Sequence, residues 1–181
     1  LGLGWPYKKD PPKDKENVEV DFSKPLSHGP NDLGFDYFFG IPGSLDMNPY
    51  TFIENDRTVG IPSVPKSPIY GPQRKGLMTP DWKDEEVDTT FTQKAIEFLK
   101  KHKNESTNEP FFLYFASSAP HRPCDCSPEF VKGKSEAGHR GDMIVLFDWI
   151  VGQIDKTLDE LGYKENTLFI VTSDNGAKNQ N

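Results

Sequence analysis

From residue 84 onward the apolar positions recur with helical spacing. Val87, Phe91, Ala95, Phe98 and Leu99 share one face of a helix predicted across residues 85–102. Lys100, Lys101 and His102 suit the negative end of its dipole. Asn108-Glu109-Pro110 then interrupts the chain before an apolar run, Phe111 to Ala116, which reads as a strand. A second helix is predicted over about residues 138–161, with the stripe Met143, Phe147, Ile150, Ile154, Leu158 and Leu161. Gly162 is placed to cap it in the left-handed conformation. Thr167 to Thr172 comes next, a short β-branched and aromatic run read as a buried strand.

The order helix, strand, helix, strand has a topological consequence. A strand, a crossover helix and a second strand make a right-handed parallel unit, with both carboxyl ends at one rim of the sheet. The expected fold is therefore α/β, a mainly parallel central sheet flanked by helices. Residues 1–83 look different. Of 16 prolines, 12 fall within residues 1–80, as do 9 of 15 glycines, so this part reads as loops with short extended pieces. The aromatic run Phe35 to Phe39 marks packed chain within it, and the charged stretch Lys8 to Glu19 an exposed excursion.

Composition narrows the classes. The chain has 181 residues and a net charge of -7, which argues against a nucleic-acid backbone as partner. No apolar run is long enough to span a bilayer. Cys124 and Cys126, the two cysteines, are too close to pair with each other. With His121 or His139 they could be soft metal ligands, but two loop thiols is the simpler reading. Asn104-Glu105-Ser106 is a glycosylation sequon, and Arg140-Gly141-Asp142 spells an adhesion tripeptide that the start of an amphipathic helix explains as structure. The chain starts without Met and stops shortly after Gly176, so it reads as the central piece of a longer protein.

The candidate chemistry sits just beyond the two predicted strands. Asp174 and Asn175 precede Gly176, and offer oxygen ligands to a hard divalent cation, calcium or magnesium. The same three residues also make ordinary turns. His121, in Ala119-Pro120-His121-Arg122-Pro123, could bind an anion or give a proton to a leaving oxygen, or be a plain loop histidine. Arg122 offers an anion contact on the same terms. Metal plus imidazole suits hydrolysis of a sulfate or phosphate ester.

These residues resemble the type I sulfatases of the alkaline-phosphatase-like superfamily. Thr172-Ser173-Asp174-Asn175-Gly176 is similar to that family's second metal-binding segment, and Ala119-Pro120-His121 to its substrate-contacting histidine motif. Gly141-Asp142, Asp148, Val151-Gly152 and Leu158 follow its helix pattern. Gly34 to Gly40 matches a segment of its arylsulfatase and glycan-sulfatase branches, and Leu1-Gly2 resembles the residues just after its Lys-x-His motif. The resemblance implies an alkaline-phosphatase-like fold, incomplete in this chain: a partial catalytic domain over residues 1–181, with a loop-rich substrate side (1–83) and an αβαβ core (84–181). It implies calcium, with magnesium as the alternative, held in part by Asp174 and Asn175, and a catalytic contact from His121. It implies a formylglycine nucleophile made from a Cys-x-Pro-x-Arg segment. Cys126-Ser127-Pro128 imitates its beginning, but Phe130 stands where that motif has Arg, so Cys126 is read as a decoy. Lys178 lies too near Asp174 to match the family's later lysine. The implied substrate is a sulfated sugar or aryl sulfate, and the implied location extracytoplasmic. The residues 1–181 alone are expected to be inactive. Two rivals remain: a phosphodiesterase or phosphonate hydrolase of the same superfamily, and a glycan-binding relative without catalysis.

Overall fold

A computed structural model describes residues 3–8, 19–69, 71–105 and 109–176. Leu1-Gly2, most of the Lys8–Glu19 excursion, Ser106 of the sequon and Lys178 lie outside the described residues.

Two helices form the backbone of the structure. α1 is Val87–Glu105, entered through a 3-10 turn at Asp84–Glu86, and α2 is Gly138–Glu160. Their apolar stripes face each other. Val87, Ala95 and Leu99 of α1 and Met143, Ile150, Ile154 and Leu158 of α2 are buried, with Phe91, Phe98 and Phe147 packed at the margin. Leu146 joins them, one turn before Ile150. α2 ends as its sequence dictates. Gly162 has φ +71°, and the Gly162 and Tyr163 N–H groups return to the Asp159 and Leu158 carbonyls at 2.9 and 2.8 Å. At the other end, a Cβ on Gly141 would collide with Ser135 Oγ, so only glycine lets the incoming loop lie this close to α2.

The loop-rich part folds into two small antiparallel sheets. β1 (Phe39–Gly40), β2 (Ile53–Glu54) and β3 (Arg57–Thr58) form one, in that order. The β2–β3 hairpin turns at Asn55 with φ +55°, a conformation asparagine tolerates, and the Asn55 side-chain oxygen accepts the Phe38 N–H at 3.1 Å. β4 (Val64–Lys66) and β5 (Gly76–Met78) form the other, with Pro65 opposite Leu77. Aromatic rings join the first sheet to α1: Phe39 stacks on Phe52 at 5.2 Å, and both meet Phe91 edge-on. The second is tied to α1 by a buried ion pair, Lys66 Nζ to Asp84 Oδ2 at 2.6 Å, with Trp82 Nε1–H donating to the other oxygen at 2.9 Å.

The two predicted strands require correction. Phe111–Ala116 and Thr167–Thr172 run extended, yet neither makes a backbone ladder with any described residue. The reason is that a strand is completed by partners, whereas a helix satisfies its own backbone. Phe111, Leu113 and Phe115 still pack on the core, while Phe112 and Tyr114 between them are 76% and 73% exposed. Leu168 to Val171 was expected to be buried and instead faces outward, with Leu168 87% exposed. The pairs within both sheets are antiparallel, and among the described residues one isolated bridge, Tyr50 to Met78, is parallel.

Candidate functional site

His121 lies at the end of a tight turn beyond the extended segment 111–116. Its N–H donates to the Ser118 carbonyl at 2.8 Å. The peptide bonds before Pro120 and Pro123 are both cis, on either side of the histidine. The side chain is exposed. Its Nδ1 is 2.7 Å from the Arg122 carbonyl oxygen. A carbonyl only accepts, so Nδ1 carries the proton and Nε2 is the ring nitrogen left to meet a ligand.

The turn is held by a residue that the sequence pattern did not single out. Asp88, buried in the first turn of α1, accepts hydrogen bonds from Ser117, Ser118 and Ala119 at 2.5–3.0 Å. In the sequence Asp88 reads as an ordinary acidic residue facing the helix dipole. The signal that would have exposed it is the donor-rich Ser117-Ser118 pair, which needs a buried acceptor, but nothing in the sequence says which.

Arg122 is also engaged. Its Nε lies 3.4 Å from Oδ2 of the buried Asp46, whose other oxygen takes the Ser44 hydroxyl. The guanidinium is thus aimed by a loop 76 residues away in the chain.

The cysteines are placed against the same loop and fit the simpler reading. Cys126 is 4% exposed, and its thiol donates to the Pro123 carbonyl. Burial, with Asp84 and Asp88 nearby, pushes that thiol up to about 12. A thiol so held stays protonated at neutral pH. Cys124 is half-buried over the Pro120 carbonyl. His139 meets Asp125 at 3.3 Å.

Asp142 is not part of an exposed adhesion tripeptide. It is buried, and its carboxylate accepts the Gly133 and Ser135 N–H groups at 2.8 and 2.9 Å.

Asp174 and Asn175 lie on the exposed end of the last described segment. Asn175 Nδ2 donates to the Gly176 carbonyl at 2.8 Å, which leaves its side-chain oxygen uncommitted. Asp174 has no hydrogen bond or ion pair to another described residue. The Asp174 carboxylate and the Asn175 side-chain oxygen suit calcium or magnesium, and supply part of the six or more ligands calcium takes. No hydrogen bond or ion pair joins either residue to His121. Among the described residues no three His, Cys, Asp or Glu side chains converge as a metal site, and no helix is long and apolar enough to cross a membrane.

Similarity to known proteins gives these features a context. Residues 8–181 match the sulfatase family. An N-acetylgalactosamine-6-O-sulfatase of Bacteroides thetaiotaomicron is 35% identical over 193 residues, covering 87% of this chain and 37% of that protein. The human N-acetylgalactosamine-6-sulfatase is 33% identical over 155 residues, covering 84% of this chain and 27% of that protein. A solved structure reported for the metabolism of multiple glycosaminoglycans by Bacteroides thetaiotaomicron superimposes with a TM-score of 0.72 at 30% identity. It covers 92% of this chain, which spans 39% of that chain.

Proposed function

Because this chain belongs to the sulfatase family, we propose that its protein hydrolyses the sulfate ester of a sulfated glycan, with a 6-sulfated N-acetylgalactosamine as the first substrate to try. The fold is that of the family, alkaline-phosphatase-like α/β, of which this chain carries a part. The observation that carries the reading is the match over residues 8–181, which takes in both the His121 turn and Asp174-Asn175. The names of the relatives supply the sugar.

His121 is the residue assigned to the ester. With Nδ1–H on the Arg122 carbonyl, Nε2 is the ring nitrogen left for the ester, and it acts as a donor when it too carries a proton. It would bind a sulfate oxygen, or protonate the sugar oxygen as the S–O bond breaks. Asp174 and Asn175 are assigned to calcium, with magnesium as the alternative. When bound, the cation supplies positive charge against the sulfate oxygens. The chemistry also needs a nucleophile, which by the family resemblance is a formylglycine. Cys126 does not supply it: the thiol is buried, and Phe130 occupies the place of the motif's arginine. An extracytoplasmic location is part of the same proposal.

The test uses the full-length protein with calcium, and reads free sulfate released from 6-sulfated N-acetylgalactosamine and from an aryl sulfate. Sulfate release is expected. Asp174→Ala should abolish most of it and weaken calcium binding by calorimetry at least about tenfold. His121→Ala should lower kcat about 100-fold with calcium affinity unchanged. Unchanged calcium affinity in the Asp174 variant would overturn the metal assignment. Hydrolysis of a phosphodiester without release of sulfate would replace the sulfatase reading with the phosphodiesterase one. Glycan binding without turnover of either ester would replace it with the non-catalytic one.

A further inference from the structure

An exposed histidine on a loop has little packing to hold it, so what fixes its place must be hydrogen bonds beneath the loop. Here they converge on one carboxylate. Asp88 is 2% exposed. Its Oδ1 accepts from the Ser117 hydroxyl at 2.9 Å and the Ser118 N–H at 2.8 Å. Its Oδ2 accepts from the Ser118 hydroxyl at 2.5 Å and the Ala119 N–H at 3.0 Å. Four donors from three consecutive residues fill the lone-pair directions of a single carboxylate. The Ser118 carbonyl in turn receives the His121 N–H at 2.8 Å. Asp88 and the His121 backbone are therefore linked through one residue, Ser118.

The anchor itself is rigid. Asp88 lies in the first turn of the 19-residue α1, where a negative charge is favoured by the helix dipole. Its neighbour Val87 is fully buried, and its own carbonyl accepts the hydroxyl of the buried Thr92 at 2.7 Å. No neutral side chain reproduces this arrangement. An asparagine there presents one oxygen and an NH2 group, and the NH2 would face two donors.

We propose that Asp88 is a positioning residue for His121: it holds the Ser117–Ala119 arch, and thereby fixes the imidazole against the sulfate ester without touching the substrate. The proposal rests on the assignment of His121 above. Asp142 provides a structural comparison. It too is a buried aspartate accepting backbone N–H groups of a loop, those of Gly133 and Ser135, but that loop carries no residue assigned to the ester.

The experiment is a double-mutant cycle in the full-length enzyme, with kcat and KM measured per folded protein on the substrate that releases sulfate. Asp88→Asn should lower kcat about 10- to 100-fold, the scale on which misplacing a reacting group acts, with KM within about threefold. In the His121→Ala background the same change should cost less than about twofold, because its effect passes through the imidazole. Asp142→Asn should lower the melting temperature but leave kcat within about twofold, with no coupling to His121. If Asp88→Asn does not fold, Ser118→Ala serves in its place. It removes one donor, should cost about threefold in kcat, and should lose that cost in the His121→Ala background. An equal loss of kcat with and without His121 would overturn the positioning role while leaving His121 in the reaction. A His121→Ala enzyme with undiminished kcat would instead overturn the assignment of His121, and the inference with it.

Discussion

At the scale of single residues, buried carboxylates decide where loops go. Asp88, Asp46 and Asp142 each gather donors that the adjacent sequence leaves unsatisfied. Their effect on pH dependence is clearest at Asp142. The Gly133 and Ser135 N–H groups stabilise its charged form and hold the carboxyl below the usual carboxylate value, about 3.9. A group depressed in the folded state adds stability above its ordinary value, and loses it as the pH falls through the folded one. Asp142→Asn cannot titrate there. The melting temperature of the wild type should therefore exceed that of the variant most clearly above about pH 5, and the gap should close below about pH 4. A gap constant from about pH 3 to about pH 7 would show that these two hydrogen bonds do not stabilise the charged form.

At the scale of elements, the structure is a helix pair with two small sheets pinned to it. The firmest pin is the ion pair between β4 and the entry to α1. Lys66 and Asp84 are both buried, and Trp82 donates to the second oxygen of Asp84. Asp84→Ala would leave a buried ammonium and a buried indole N–H without partners. A cost of about 3–5 kcal/mol is expected, the usual penalty for removing one member of a buried pair. Chemical denaturation of the intact protein should show it as a lower midpoint. The double variant Lys66→Met with Asp84→Leu should recover a large part, because an apolar pair leaves no charge behind. Failure of the double variant to recover any stability would mean that the loops around β4 depend on the hydrogen bonds themselves.

At the scale of the whole molecule, the two extended segments leave apolar surface uncovered. Phe112, Tyr114, Leu168 and Ile170 are each more than two-thirds exposed. Burying such side chains is worth about 1.5–3 kcal/mol apiece. Extended chain that makes no backbone ladder with any described residue is also a template for pairing with another chain. Residues 1–181 expressed alone should therefore bind a hydrophobic dye and elute as aggregates. Replacing Phe112 and Ile170 by Ser should reduce both effects. A sharp, cooperative melting transition from a monomer would show that these surfaces need no cover.

The helices were legible in the chain because their physics is local. Each residue bonds to one four positions away, and the apolar stripe repeats every three to four residues. The predicted spans 85–102 and 138–161 accordingly met Val87–Glu105 and Gly138–Glu160, with Gly162 in its capping conformation. Family membership was legible for a related reason: Ala119-Pro120-His121 and Asp174-Asn175-Gly176 are contiguous words whose order survives translation along the chain. The apolar run Phe111 to Ala116 announced an extended segment, but not what would pair with it. Pairing is a property of two pieces of chain, and tertiary structure alone assigns the second. The support of the His121 turn was hidden for the same reason. Asp88 is about 30 residues from its donors, and Asp46 is 76 from Arg122. No period or motif spans such gaps, because the energy that closes them comes from burying polar groups together once the helices have packed.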